Sequence, residues 1–367
     1  MNLRPLVVTP DFPPASGGIQ VVMRGLVDNL GDAEPLVVTL GPPEAPPTER
    51  RGDVDVRRVG RQRIAGNKLA VVQLNVAALW RGLRFRPDVV ISGHVVGAPA
   101  AAALGRIRGV PTIQYLHADE VRKRPRLVRF ALHRATAVVA VSAHAREMAL
   151  LAGCDPQKVR VICNGVDAPR ITGLSRLGQP TVVTVARMQE PYKGHDVLIR
   201  ALPEIRERVP DVEWVSIGDG RLRSSLEALA RDLGVSDSAR FLGRIDDAER
   251  DRWLERSHVF AMPSRLPDGG VGGEGFGIVF LEAASHGLPA VAGNVGGAVD
   301  AVADGETGLL VDPTDPAAVA EAIARLLLDP GLAAALGDEG ARRARGRTWA
   351  RHAAEVEALI REVTGHR

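Results

Sequence analysis

Short runs rich in Val, Ile and Leu alternate with longer amphipathic stretches along nearly all of this 367-residue chain. That alternation restricts the fold to parallel α/β sheets covered by helices. In the first half PLVVT, PLVVTL, DVDVRRV, DVVISG, PTIQYLH, AVVAVS and KVRVICNG read as strands, with helices over residues 18–30 and 67–84. Periodicity lapses at RITGLSRLGQP, which reads as a linker. A second set of strands follows, TVVTVAR, VEWVSIG, ARFLG, HVFAMPS, PAVAG and GLLVD, with helices over 195–208 and 221–233 among those between them. The expected fold is α/β, with two doubly wound, Rossmann-like domains facing each other across a cleft. The boundaries read as 1–168 for a first domain, 169–180 for the linker, 181–345 for a second domain and 346–367 for a closing helix returning toward the first domain. A chain of this length has volume for two cores. Ligands of such sheets bind beyond the carboxyl ends of the strands.

The densest glycine segment is GGVGGEGFGIVFLE, residues 269–282. Five glycines before Phe276 let backbone lie against a ligand. A helix is expected from Phe276 through EAASHG, stopping at Gly287–Leu288–Pro289. A loop feeding a helix N-terminus suits an anion. Eight residues span just over two helical turns, so Glu274 and Glu282 are expected on one side, Glu274 at the mouth and Glu282 deeper. Carboxylates accept hydrogen bonds from vicinal sugar hydroxyls. The segment fits a sugar joined to a phosphate, although two glutamates on a solvated helix face would look the same.

Other candidates stand at expected strand ends. Arg187 and Lys193 in VTVARMQEPYKGHD can neutralise a diphosphate, or else bridge to Glu190 or Asp196 on the surface. Only four lysines, Lys68, Lys123, Lys158 and Lys193, stand beside 43 arginines, which makes Lys193 more conspicuous. His117 closes TIQYLH and can bond a sugar hydroxyl or serve structure alone. Gly17 and Gly18 allow close approach to a phosphate between the first strand and its helix. No G-x-G-x-x-G follows that strand, and after Gly218-Asp219-Gly220 the third glycine position holds Arg223, which argues against a dehydrogenase. Asp53 and Asp55 lie in a period-two strand and read as structural. No metal site and no cofactor are expected.

Net charge is +3, unevenly distributed. Residues 1–175 hold 24 Lys and Arg against 14 Asp and Glu, and the remainder 23 against 30. The basic half suits an anionic acceptor or membrane face and requires no nucleic acid. The run Arg122–Arg129 concentrates this charge, either as a solvated helix end or as a patch for anionic lipid. Two cysteines without metal-type spacing fit a reducing, cytoplasmic setting. The first residues read as a strand start rather than a signal peptide.

Taken together, these segments resemble the family-4 glycosyltransferases of the GT-B fold. The resemblance runs over nearly the whole chain through FPPASGGIQ, Arg187…Lys193-Gly194, IGDG, FLGRIDD, the Glu274-x7-Glu282 pattern and GNVGGAVDAVADGETGLLVD. FPPASGGIQ and GEGFGIVFLEA look most like the phosphatidylinositol mannosyltransferase-like branch, although Arg187 and Lys193 stand one position further apart here. The resemblance implies metal-independent hexosyl transfer with retention, from a nucleotide-diphosphate sugar, with GDP-mannose favoured, to a phosphoinositide-type lipid. It implies that Gly17 and Gly18 lie beside the donor phosphates and that Arg187 and Lys193 bind the diphosphate. Glu282 would hold the ribose, and Glu274 with the amides of Gly275, Phe276, Gly277 and Ile278 the sugar and diphosphate. His117 would meet the sugar's hydroxyls, and Gly218 with Arg244 and Ile245 would cradle the base. A peripheral position at the inner membrane face follows from a lipid acceptor. Three alternatives stay open: a UDP-hexose or UDP-N-acetylhexosamine transferase with a soluble natural-product or aminocyclitol acceptor, a non-catalytic sugar-nucleotide sensor, and, more weakly, a phosphorylase. Oligomeric state is not encoded in any motif.

Overall fold

The computed structural model describes residues 3–15, 17–42, 45–61 and 68–365. Met1 and Asn2, Ser16 of FPPASGGIQ, two positions of the proline-rich loop, Asn67 and the last two residues of the expected closing helix lie outside them. The chain forms two units, residues 1–165 with 349–367, and residues 166–348.

The first unit is built on eight strands: β1 (Pro5–Thr9), β2 (Leu36–Gly41), β3 (Thr48–Arg51), β4 (Val54–Arg61), β5 (Val89–Ser92), β6 (Thr112–Leu116), β7 (Ala137–Ala140) and β8 (Val159–Val161). Their order is β3-β4-β2-β1-β5-β6-β7-β8. All pairings are parallel except that of β3 with β4. The strand β3 was not expected, because TERR is polar and carries no apolar period; it is an antiparallel edge, where such residues are tolerated. The segment KVRVICNG contributes only the three residues of β8. The chain moves from β1 to one side, then returns to the other at β5. The β1/β5 junction is therefore a topological switch point.

The second unit has six parallel strands: β9 (Thr181–Val185), β10 (Glu213–Ile217), β11 (Ala239–Gly243), β12 (Val259–Met262), β13 (Ala290–Gly293) and β14 (Gly308–Val311). Their order β11-β10-β9-β12-β13-β14 puts the switch between β9 and β12. Alternate side chains serve opposite faces. Val182, Trp214, Val259 and Val291 join the core with the helices His195–Arg208 and Pro316–Leu328. Val183, Val215, Phe260 and Ala290 join the core that includes Phe280 and Ala283 of the helix Ile278–Ser285. Burial on both faces explains why these strands read as nearly continuous apolar runs.

Residues 169–180 form neither helix nor strand. They are held to the second unit by Arg176, whose guanidinium donates to the carbonyls of Glu255 (2.8 Å) and Ser257 (2.6 Å). The last helix, Trp349–Thr364, belongs to the first unit and packs on the helix Gly18–Val27. It also shares a hydrogen bond of 3.1 Å between His352 Nε2 and the buried hydroxyl of Tyr115.

Candidate active site

The β9/β12 switch places two loops side by side, and each delivers one charged residue. The loop after β9 ends in the 3-10 turn Pro191–Lys193, and the loop after β12 carries Glu274. Lys193 Nζ donates to Glu274 Oε2, an ion pair joining positions 81 residues apart. Both side chains are mostly buried, 18% and 13% exposed, so their attraction is less screened than on an open surface. A second pair stiffens this corner. Arg265 bonds Asp196 through both nitrogens of its fork, at 2.9 and 3.0 Å, while its backbone N–H donates to the Tyr192 carbonyl at 2.8 Å. The expected surface partner Asp196 pairs with Arg265 instead, and Lys193 pairs with Glu274. Behind them His195 is buried, and burial reinforced by the Lys193 charge lowers its pKa to about 4. The imidazole is neutral at pH 7 and adds no positive charge beside Lys193.

Glu274 and Glu282 do not share a helix face as the spacing suggested. The helix begins only at Ile278, so Phe276 and Gly277 precede it and Glu274 is a loop residue. The cause is Gly277, at φ 84°, a left-handed conformation that ends the loop and opens the helix. A Cβ at that position would stand 2.5 Å from the Phe280 ring. The Glu274 carbonyl accepts the Gly297 N–H at 2.8 Å, which pins the loop to the segment after β13. Helix first-turn amides have no intrahelical acceptors and point toward the loop side.

Glu282 lies within the helix with its side chain about one-fifth exposed, 3.7 Å from Arg250. Burial pushes its carboxyl above the ordinary range, while Arg250 pulls it back; Asp251, Asp247 and Asp167 push in the same direction as burial. Arg187 is exposed at the end of β9 and forms no ion pair among the described residues. Gly218 follows β10 at φ 139°. A Cβ there would meet the Ala186 carbonyl at 2.1 Å, so only glycine lets these two strand ends close. Gly218 also donates to the Gly243 carbonyl at 2.8 Å, which brings it beside exposed Arg244 and half-buried Ile245.

In the first unit, His117 follows β6. Its Nε2 lies 3.0 Å from the Gly93 carbonyl, which can only accept, so Nε2 carries a hydrogen and, in the neutral ring, Nδ1 is left as an acceptor. The His117 backbone N–H donates to Glu120 Oε2 at 3.1 Å. Burial raises the Glu120 pKa, and the His117 charge and these N–H bonds oppose it. Between them Ala118 has φ 77° and ψ −54°, closed by a bond of 3.2 Å from the Asp119 N–H to the His117 carbonyl. This tight three-residue turn is strained for a residue with a Cβ. Gly17 caps the helix Gly18–Val27, and the neighbouring Gln20 Nε2 donates to Asp11 at 3.1 Å. Gly18 is exposed and faces open space. No group of three or more His, Cys, Asp or Glu side chains suited to a metal occurs among the described residues.

Sequence reasoning missed Arg265, Arg250 and Glu120, and offered Asp196 only as a surface partner of the Arg187 and Lys193 pair. Each acts through a partner brought near by folding, and none sits in a local pattern that announces it.

Two family models match the chain: Glycosyltransferase Family 4 over residues 16–170 and Glycosyl transferases group 1 over residues 170–343. A GDP-mannose-dependent alpha-(1-6)-phosphatidylinositol monomannoside mannosyltransferase of Mycolicibacterium smegmatis is 35% identical over 94% of this chain and 93% of its own. The chain belongs to the family-4 glycosyltransferases.

A monoacylated-substrate counterpart from Corynebacterium glutamicum is 30% identical, over 91% of each chain. Among solved structures, a sucrose-phosphate synthase from Thermosynechococcus elongatus superposes with a TM-score of 0.87 at 21% identity, covering 100% of both chains. Anabaena HepE in complex with UDP-glucose gives 0.79 at 20% identity, covering 98% of this chain and 100% of that one. These likenesses establish the GT-B fold. The protein is accordingly a glycosyltransferase that moves a sugar from a nucleotide-sugar donor to an acceptor.

Proposed function

We propose that this glycosyltransferase moves mannose from GDP-mannose to a hydroxyl of a phosphoinositide-type lipid, with retention at the anomeric carbon. The ion pair of Lys193 and Glu274 at the β9/β12 switch point carries the reading, and the mannosyltransferases named above support the donor and acceptor. As the bond between the anomeric carbon and the β-phosphate oxygen breaks, negative charge grows on the departing GDP. Lys193, together with exposed Arg187 after β9, meets that charge, Lys193 from a partly dry corner where electrostatics act at greater strength than in water. Glu274 holds the ammonium in place before the donor arrives and accepts from hexose hydroxyls afterwards. The amides of Gly275, Phe276, Gly277 and Ile278 complete the cradle for sugar and diphosphate. Glu282 accepts from the ribose, and Gly218, Arg244 and Ile245 flank the base. In the first unit, Gly17 and Gly18 present backbone to a phosphate, and His117 Nδ1 accepts a sugar hydroxyl.

Cationic side chains carry the charge in this scheme, so no metal ion is required and EDTA leaves the transfer rate unchanged. A lipid acceptor places the protein peripherally at the inner face of the membrane. Within the basic run, Arg122 and Lys123 already pair with Asp119, leaving Arg124, Arg126 and Arg129 exposed toward anionic headgroups. The test is thermal stabilisation by a panel of GDP, UDP, ADP and dTDP sugars. At 100 times its dissociation constant a ligand stabilises by about 2.7 kcal/mol. GDP-mannose is expected to give the largest shift; a larger one from a UDP sugar contradicts the donor assignment.

A further inference from the structure

His117 is fixed in two ways, and only one of them involves its ring. The ring Nε2 lies 3.0 Å from the Gly93 carbonyl, and Gly93 is itself tied to the Val8 carbonyl by an N–H bond of 2.9 Å. The ring also stacks on Tyr115, with centroids 6.2 Å apart and planes at 26°. The second tie is to the main chain. Beyond β6 the His117 N–H donates to Glu120 Oε2 at 3.1 Å, and Oε1 stands at 3.4 Å. Between the two residues lies the strained turn at Ala118, with φ 77°. Such a turn persists only where its surroundings over-determine it.

An acidic side chain that reaches back three residues is ordinary capping chemistry at a helix start. Two observations set Glu120 apart. The residue is only 5% exposed, and no cation pairs with its carboxylate among the described residues; Arg122 and Lys123 pair with Asp119 instead. Burying a carboxylate without a countercharge is costly, and burial raises the Glu120 pKa accordingly. An apolar residue would fill the same space without that cost. What the carboxylate supplies, and an apolar side chain does not, is an acceptor for the His117 N–H. Its loss leaves that N–H unpaired at the end of β6 and frees the turn at Ala118 to relax, carrying the ring with it.

We infer that Glu120 is a positioning residue for the transfer reaction: by holding the His117 main chain it sets where Nδ1 meets the sugar in transit. Glu120 itself touches neither donor nor acceptor. The Gly93 carbonyl orients the ring, and Glu120 fixes the backbone that carries it. A misplacement of about 1 Å at such a group costs about 10²-fold in rate. The inference rests on the reading of His117 as the group that meets the sugar's hydroxyls, and the two fail separately. Transfer at the wild-type rate by His117→Ala sinks that reading of His117. Slow transfer by His117→Ala beside full activity in Glu120→Leu sinks the inference alone.

The experiment is a double-mutant cycle on the full chain, read as mannose transfer from GDP-mannose to a phosphoinositide mannoside in micelles. His117→Ala and Glu120→Leu should each lose about 10- to 100-fold in kcat, and the double variant should be no slower than His117→Ala. Glu120→Gln keeps an oxygen for the His117 N–H and should retain transfer within about threefold. Glu120→Asp keeps the charge but falls short by one methylene, and should resemble Glu120→Leu; it replaces that variant in the cycle if Glu120→Leu does not fold. Thermal stabilisation by GDP, which lacks the sugar, should be unchanged in every folded variant. Four results overturn the inference: near-normal transfer by Glu120→Asp; losses that multiply in the double variant; a loss in Glu120→Gln as large as in Glu120→Asp, which makes charge and not placement the cause; or a fall in GDP stabilisation that tracks the fall in transfer, the mark of a general structural role.

Discussion

At the scale of single residues, Glu282 is held in tension between burial and Arg250. Burial favours its neutral form and Arg250 its carboxylate. If the carboxylate accepts ribose hydroxyls, Glu282→Gln loses a charged hydrogen-bond acceptor while keeping its shape. Such bonds contribute about 1.5–3 kcal/mol, so GDP-mannose affinity should fall by about 10- to 100-fold in calorimetric titration. The ligand-free variant should not melt lower at neutral pH, because Arg250 retains Asp251 at 2.9 Å and a buried charge is gone. Unchanged affinity removes Glu282 from the donor site. Lys193 was legible as a candidate because lysine is scarce and this one follows a strand, whereas its pairing with Glu274 was not, since nothing local relates residues 81 positions apart. The same holds for Arg265 with Asp196, 69 positions apart.

At the scale of elements, the glycine loop owes its geometry to a handful of backbone choices. Gly277→Ala would force a Cβ into the left-handed region and against Phe280, at a cost of about 1–2 kcal/mol. The helix Ile278–Ser285 would have to shift its start, so the variant should melt lower and lose GDP-mannose-induced stabilisation. A variant that melts lower but keeps the full ligand shift separates the loop from donor binding. Apolar periodicity revealed β9 and the helix His195–Arg208, because their faces are buried in regular alternation. It failed at β3, whose polar residues occupy an edge, and at the start of the glycine-loop helix. There the residue types were helix-compatible from Phe276, yet the left-handed Gly277 set the boundary two residues later. The same limitation hid the exposure of Val72, Val76 and Trp80 on the helix Lys68–Phe85, since apolar residues on a helix read as core until folding shows which side is covered.

At the scale of the whole molecule, acid sensitivity follows from four histidines that resist protonation in the fold. Burial, aided by His117, Arg124 and Lys123, lowers His94 to about 3, and His195 stands at about 4; His258 and His352 are lowered too, each chiefly by burial. Below the ordinary value of about 6.5 the unfolded chain takes up protons that the folded one refuses. These histidines therefore contribute stability above pH 6.5 that is lost as pH falls toward 4. Glu120 and Glu282, with raised pKa values, act in the opposite direction above about 4.5. His94→Asn keeps an acceptor for the Val96 N–H and should flatten the fall in melting temperature between pH 6.5 and 4. An unaltered slope would exclude His94 as a contributor.

The most direct test of the central claim is transfer of radiolabelled mannose from GDP-mannose to a phosphoinositide mannoside in micelles, comparing wild type with Lys193→Ala. Wild type should form product, and the variant should lose about 10²- to 10³-fold in kcat, the typical effect of removing one preorganised donor to developing charge. Transfer by Lys193→Ala at a near-normal rate would contradict the assignment of the Lys193–Glu274 corner as the site that takes the leaving diphosphate.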